Sequence, residues 1–177
     1  MGSLSVGPGA LRWREAHRVA AFTLVEILVV LVVLGIAAGF LVANLASDDR
    51  RAIEHEAVRL SGALEHAVAA AQWSGDTLGI SADGHAYRFW RRDAATQWQV
   101  IAGDDVLAPR ALPDGMQVRP ATYAGAAVSP DAILPFRPSG RNEPFSVLIS
   151  IRDWKAIVTG DPLNRVAFSL QRVDAGS

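Results

Sequence analysis

The chain has 177 residues, no cysteine, and 17 Lys and Arg against 18 Asp and Glu, for a net charge of −1. Half of its residues are hydrophobic and a fifth are charged, which excludes a chain disordered throughout and suggests one domain with an appendage. The missing cysteine removes disulfide scaffolds, thiolate metal sites and Cys nucleophiles, and the balanced charge gives no global attraction to nucleic acid.

Taken in chain order, the first feature is a basic start, with Arg12, Arg14 and Arg18 against Glu15. Residues 27–46 then run without a charge, broken only by Asn44, and as a helix they would span about 30 Å, the thickness of a bilayer core. A cleaved secretory signal usually has a shorter apolar core, and a buried globular helix would carry a polar stripe. Basic residues before the run and Asp48 and Asp49 after it place the N-terminus in the cytoplasm and the bulk of the chain outside. Glu26 opens the apolar run; at mid-membrane an ionised carboxylate costs about 2.5–3.5 kcal/mol, and less near the edge. A cationic partner acquired on assembly would offset that cost.

The string Ala21-Phe22-Thr23-Leu24-Val25-Glu26, followed by a long apolar segment, resembles the class III signal of type IV pilins and type II secretion pseudopilins. The resemblance implies that a prepilin peptidase cuts between Ala21 and Phe22 and methylates Phe22. It also implies that the Glu26 carboxylate neutralises the new amine of an adjacent subunit. Ala21 stands where the family prefers Gly, and the leader is long for the family. Gly35 and Gly39 form a G-x-x-x-G pattern that would let helices approach closely. The expected organisation is a leader over 1–21, a transmembrane helix over 22–47, an amphipathic helix continuing it over 48–74, and a β-rich head over 75–177.

In the second helical segment Ile53, Ala57, Leu60, Leu64, Ala67, Val68 and Ala71 recur every three or four residues. Arg50, Arg51, Glu54, Glu56, Arg59 and Glu65 read as the other faces. Gly75 is placed to end the helix. Strand patterns follow at 77–81, 85–90, 97–101, 116–119, 145–151, 156–159 and 165–170. Ala82-Asp83-Gly84 is a hairpin signal, and the proline-rich 135–144 reads as a loop. The fold class is α+β: a pilin-like long helix packed on an antiparallel sheet. Leu112-Pro113-Asp114-Gly115, Phe136-Arg137-Pro138-Ser139-Gly140 and Asn164-Arg165-Val166 are similar to patterns of the GspH type of minor pseudopilin, with Asn164 where Gly is usual.

That resemblance implies a single-pass inner-membrane protein with a periplasmic head. It would be a structural subunit just below the pseudopilus tip, linking the tip minor subunits to the major-subunit shaft for protein export across the outer membrane. The implied partners are other pseudopilins, the prepilin peptidase and the inner membrane. A type IV pilus minor pilin, used in adhesion, motility or DNA uptake, is the alternative.

Enzymatic chemistry is not expected: there is no G-x-S-x-G, Walker A or H-E-x-x-H string, no catalytic residue, no cofactor and no metal site. His55 and His66 lie about 16 Å apart along a helix, too far for one metal ion. Asp104 and Asp105 read as solvated loop acids. Arg88, Arg91 and Arg92 around Trp90 could hold single-stranded nucleic acid. Removing the leader, however, leaves 14 basic and 17 acidic residues, so nucleic acid is not expected as a partner. Trp154 with Lys155, and the loop around Arg137 and Arg141, are candidate contacts of the head.

Overall fold

The structure, a computed structural model, describes residues 24–173; the leader, Ala21 and Phe22 lie outside the described residues. Helix α1 (Leu24–Ser74) is followed by β1 (Leu78–Ala82), β2 (Ala86–Arg92), β3 (Trp98–Val100), β4 (Arg110–Ala111) and β5 (Met116–Tyr123). Then come β6 (Ala126–Ala127), β7 (Leu134–Phe136), β8 (Phe145–Ile151), β9 (Trp154–Gly160) and β10 (Val166–Arg172). The chain divides within α1 into two compact units, Met1–Leu41 and Val42–Ser177.

No proline interrupts α1. Its C-terminus closes as the sequence suggests: Gly75 takes the left-handed conformation at φ 76°, and its N–H donates to the Ala71 carbonyl at 3.0 Å. In the second unit Ile53, Ala57, Leu60, Leu64, Ala67, Val68 and Ala71 are all buried in one hydrophobic cluster. They pack with the inward-facing residues of the strands, among them Phe89, Val118, Phe136, Ile149 and Val158. This burial supplies the stability that isolated helices lack.

Where the sequence suggested one sheet, there are two antiparallel sheets. The first has the order β3-β2-β1-β7, with β4 also paired to β2; the second has the order β10-β9-β8-β5-β6. They meet at one bridge, where Val118 N–H donates to the Gly84 carbonyl at 2.9 Å. The segment 135–144 is a loop only after its first residues, because β7 occupies Leu134–Phe136 on the edge of the first sheet. Pro135 is tolerated there because an edge strand leaves some of its N–H positions without a partner.

Two glycines are fixed by packing. A Cβ on Gly79 would lie 2.7 Å from Ile133 Cγ2, with Trp98 also in contact range. Gly160 sits opposite Phe145 in the β8–β9 register, and a Cβ there would run into the Phe145 ring. A larger residue at either position would overpack the sheet.

Candidate assembly interface

In the first unit the large apolar side chains at 24–36 are exposed around the whole circumference of the helix, from 45% at Val30 to 83% at Leu24. A helix that is apolar all round belongs in a nonpolar surrounding rather than in water. Glu26 lies on this segment and is exposed. Around Gly35 and Gly39 a Cβ would meet nothing within 4 Å, so no contact among the described residues calls for glycine at either position. Among the described residues no helix is long and apolar enough to cross a membrane. The run 27–46 extends into 40–47, whose side chains are not among those described.

At the start of its buried stretch, α1 is fastened to the β8–β9 turn. Arg152 Nη1 donates to Asp49 Oδ2 at 2.9 Å, and the Arg50 guanidinium lies 5.8 Å from the centroid of the Trp154 ring. The charged stretch at 48–51 is therefore an anchor for the head. Trp154, which the sequence offered as an outward contact, is half-buried beneath Arg50 and packs on the core.

About two turns further on, Glu56 is only 2% exposed. Arg110 on β4 grips it with two hydrogen bonds, Nε to Oε1 at 3.1 Å and Nη2 to Oε2 at 3.2 Å, and the Tyr87 hydroxyl donates to Oε1 at 3.2 Å. Burial, then the adjacent Glu56 carboxylate, pushes the Tyr87 phenol up to about 12. The Glu56 carboxylate raises the Arg110 guanidinium further, against the effect of burial. Glu56 was read as a surface acid, yet it stands three residues after Ile53 and four before Leu60, on the apolar stripe itself.

His66 and Asp104 meet at 3.0 Å, so this His tethers the 103–108 loop to α1. The Asp104 carboxylate also accepts from the N–H groups of Val106 and Leu107. Its pKa is held below the usual carboxylate range, first by the bond from His66 and then by those amides, which together outweigh burial. Among the described residues no cluster of three or more His, Asp or Glu is placed to hold a metal ion.

The arginines around Trp90 do not form one basic platform. Arg88 pairs with Asp83 at 2.7 Å, Arg91 with Asp76 at 3.4 Å, and Arg92 Nε donates to the Thr96 carbonyl at 3.3 Å. Trp90 donates its indole N–H to Ser81 Oγ at 2.8 Å. Arg91 also alternates to the opposite face of β2 from Arg88 and Arg92.

At the C-terminal end of α1, segments distant in sequence converge. Asn142, buried, accepts from the Arg137 N–H at 2.7 Å and donates to Asn164 Oδ1 at 2.8 Å. Asn164 in turn donates to the Gly140 carbonyl at 2.7 Å. Asn164 is at φ 65°, a left-handed conformation that Asn adopts more readily than most non-glycine residues. Trp73, at the last turn of α1, is 91% exposed, and Leu163, in the β9–β10 turn, is 72% exposed.

The prokaryotic N-terminal methylation motif matches residues 16–42. Over 103 residues the chain is 31% identical to type II secretion system protein H of Aeromonas hydrophila. The match spans 56% of this chain and 56% of that protein's length. The fold is similar to two structures of the minor pseudopilin EpsH from the type II secretion system of Vibrio cholerae. In one the TM-score is 0.54 at 19% identity, covering 73% of this chain and 99% of that one. In the other it is 0.52 at 21% identity, covering 67% and 95%.

The head has the fold of these minor pseudopilins. Two of the short patterns that carried the sequence resemblance, around Gly140 and Asn164, are the two ends of one hydrogen-bonded knot in this head. Where the pattern usually has Gly, Asn164 keeps the left-handed backbone and adds two side-chain bonds.

Proposed function

We propose that this chain is a minor pseudopilin, a structural subunit near the tip of a type II secretion pseudopilus, linking the tip subunits to the shaft during export across the outer membrane. It is cut between Ala21 and Phe22, methylated on Phe22, and anchored in the inner membrane by residues 22–47, with the head in the periplasm. The observation that supports this reading is a methylation motif that runs into an apolar helix bearing Glu26, on a chain whose head has the minor-pseudopilin fold.

In the assembled filament the Phe22 ammonium and the Glu26 carboxylate of neighbouring subunits offset each other's desolvation and set the axial register. Gly35 and Gly39 allow close approach of a neighbouring helix. The protein works by position and has no catalytic site of its own.

Deletion of the gene tests this reading. Secreted enzymes should accumulate in the periplasm, while twitching motility and DNA uptake stay unchanged. Loss of pilus functions with secretion intact would assign the chain to a type IV pilus instead.

A further inference from the structure

The two sheets have few long edges. The first is bounded by three-residue strands, β3 and β7, and one side of the second by the two-residue β6. The other side of the second is β10, seven residues paired to β9 along its whole length. Natural edge strands are usually short, broken by proline or bulges, or guarded by charge. β10 reads Val-Ala-Phe-Ser-Leu-Gln-Arg, with no proline, no bulge in its register and no charge before Arg172.

Two backbone hydrogen bonds fix which backbone groups face outward. Val173 N–H donates to the Asp153 carbonyl and Asp161 N–H to the Arg165 carbonyl. In an antiparallel ladder this makes Arg172–Trp154 a non-hydrogen-bonded pair, and with it Leu170, Phe168 and Val166. Their N–H and C=O groups point away from β9, and no backbone group among the described residues bonds to them. The side chains of Val166, Phe168 and Leu170 are half-buried at the rim of the core. Arg172 makes no ion pair among the described residues. On the outer side of the sheet, beside Ala167, a cavity of about 490 Å³ opens between Pro144, Thr159, Pro162 and Arg165.

The geometry points to the free edge of β10 as a docking site for an extended segment of another polypeptide, added antiparallel. That segment carries apolar residues at alternate positions and an acid opposite Arg172. Backbone bonds to residues 166, 168, 170 and 172 supply affinity. The apolar residues extend the core over Val166, Phe168 and Leu170, and the cavity beside Ala167 selects a side chain on the outer face, the division of labour seen in strand addition. The inference does not depend on which machine the chain serves.

The test uses the full chain in detergent micelles and the peptide Glu-Thr-Val-Thr-Val-Thr-Val, which places its acid opposite Arg172. Amide hydrogen exchange should slow at Val166, Phe168, Leu170 and Arg172 and stay unchanged at Ala167, Ser169 and Gln171. N-methylation of the peptide's Val amides should weaken binding by at least about tenfold, since each lost hydrogen bond is worth about 0.5–1.5 kcal/mol. Leu170→Pro, which removes one outward N–H and no ladder bond, should weaken binding by about two- to tenfold; if it fails to fold, the methylated peptide decides. Equal binding of the methylated peptide, or unchanged exchange at about 1 mM peptide, a weak-binding limit, overturns the proposal.

Discussion

Asn142 Nδ2 donates to Asn164 Oδ1 at 2.8 Å, joining the loop after β7 to the turn before β10 across 22 residues of sequence. The bond is buried on the Asn142 side, so its loss leaves a polar group without water. Asn142→Leu strips partners from the Arg137 N–H and from Asn164, and should cost about 1–3 kcal/mol. Asn164→Ala should cost more than Asn164→Gly, by about 1 kcal/mol, because only the former adds left-handed strain. Urea unfolding of the three variants in one detergent checks the order.

Glu56 and Arg110 form another long-range polar tie, 54 residues apart. Glu56→Ala leaves the guanidinium and the Tyr87 hydroxyl without their acceptor. The expected cost is about 3 kcal/mol, the low end for a broken buried pair because Arg110 is partly exposed. Replacing all three groups together, with Glu56→Leu, Tyr87→Phe and Arg110→Leu, should recover most of that loss. Unfolding midpoints of the single and triple variants test the difference.

The same cluster sets an alkaline limit. The Tyr87 phenol is raised to about 12 in the fold from 10.0. Its contribution to stability is therefore intact below about pH 10 and is lost as pH rises toward 12. Asp104 works in the opposite direction: its depressed pKa contributes stability above the ordinary carboxylate value of 3.8, lost as pH falls through the lowered one. Tyr87→Phe should flatten the alkaline limb of stability against pH, and Asp104→Asn the acid limb. Asp104→Asn should have the smaller effect, since that pair is solvent-screened.

The periodic parts of this fold are legible in the sequence. The stripe from Ile53 to Ala71 and the alternation of β8 both follow from which side chains must leave water. The division into two sheets is not, because it depends on pairings such as Leu78 with Phe136, set by tertiary packing rather than by local pattern. Pro135 concealed β7, and β4 and β6, at two residues each, are too short to show a period. Glu56 was misread because its charge was weighed ahead of its place on the stripe. Trp154, Trp90 and the arginines beside Trp90 suggested outward binding only while their partners, among them Arg50, Ser81, Asp83 and Asp76, were unseen.

For assembly, Glu26→Ala should leave membrane insertion intact, since it removes a charge from an apolar segment. It should abolish recovery of the chain with sheared pseudopili. Fractionation followed by immunoblotting separates the two steps, and wild-type recovery would remove the proposed pairing with the Phe22 amine.

Processing before Phe22 is the step on which assembly depends, and intact-mass spectrometry of the protein purified from its native membrane tests it directly. The predicted species begins at Phe22 and carries one methyl group on its amine. A mass that retains residues 1–21, or one that begins after the apolar run, would contradict it.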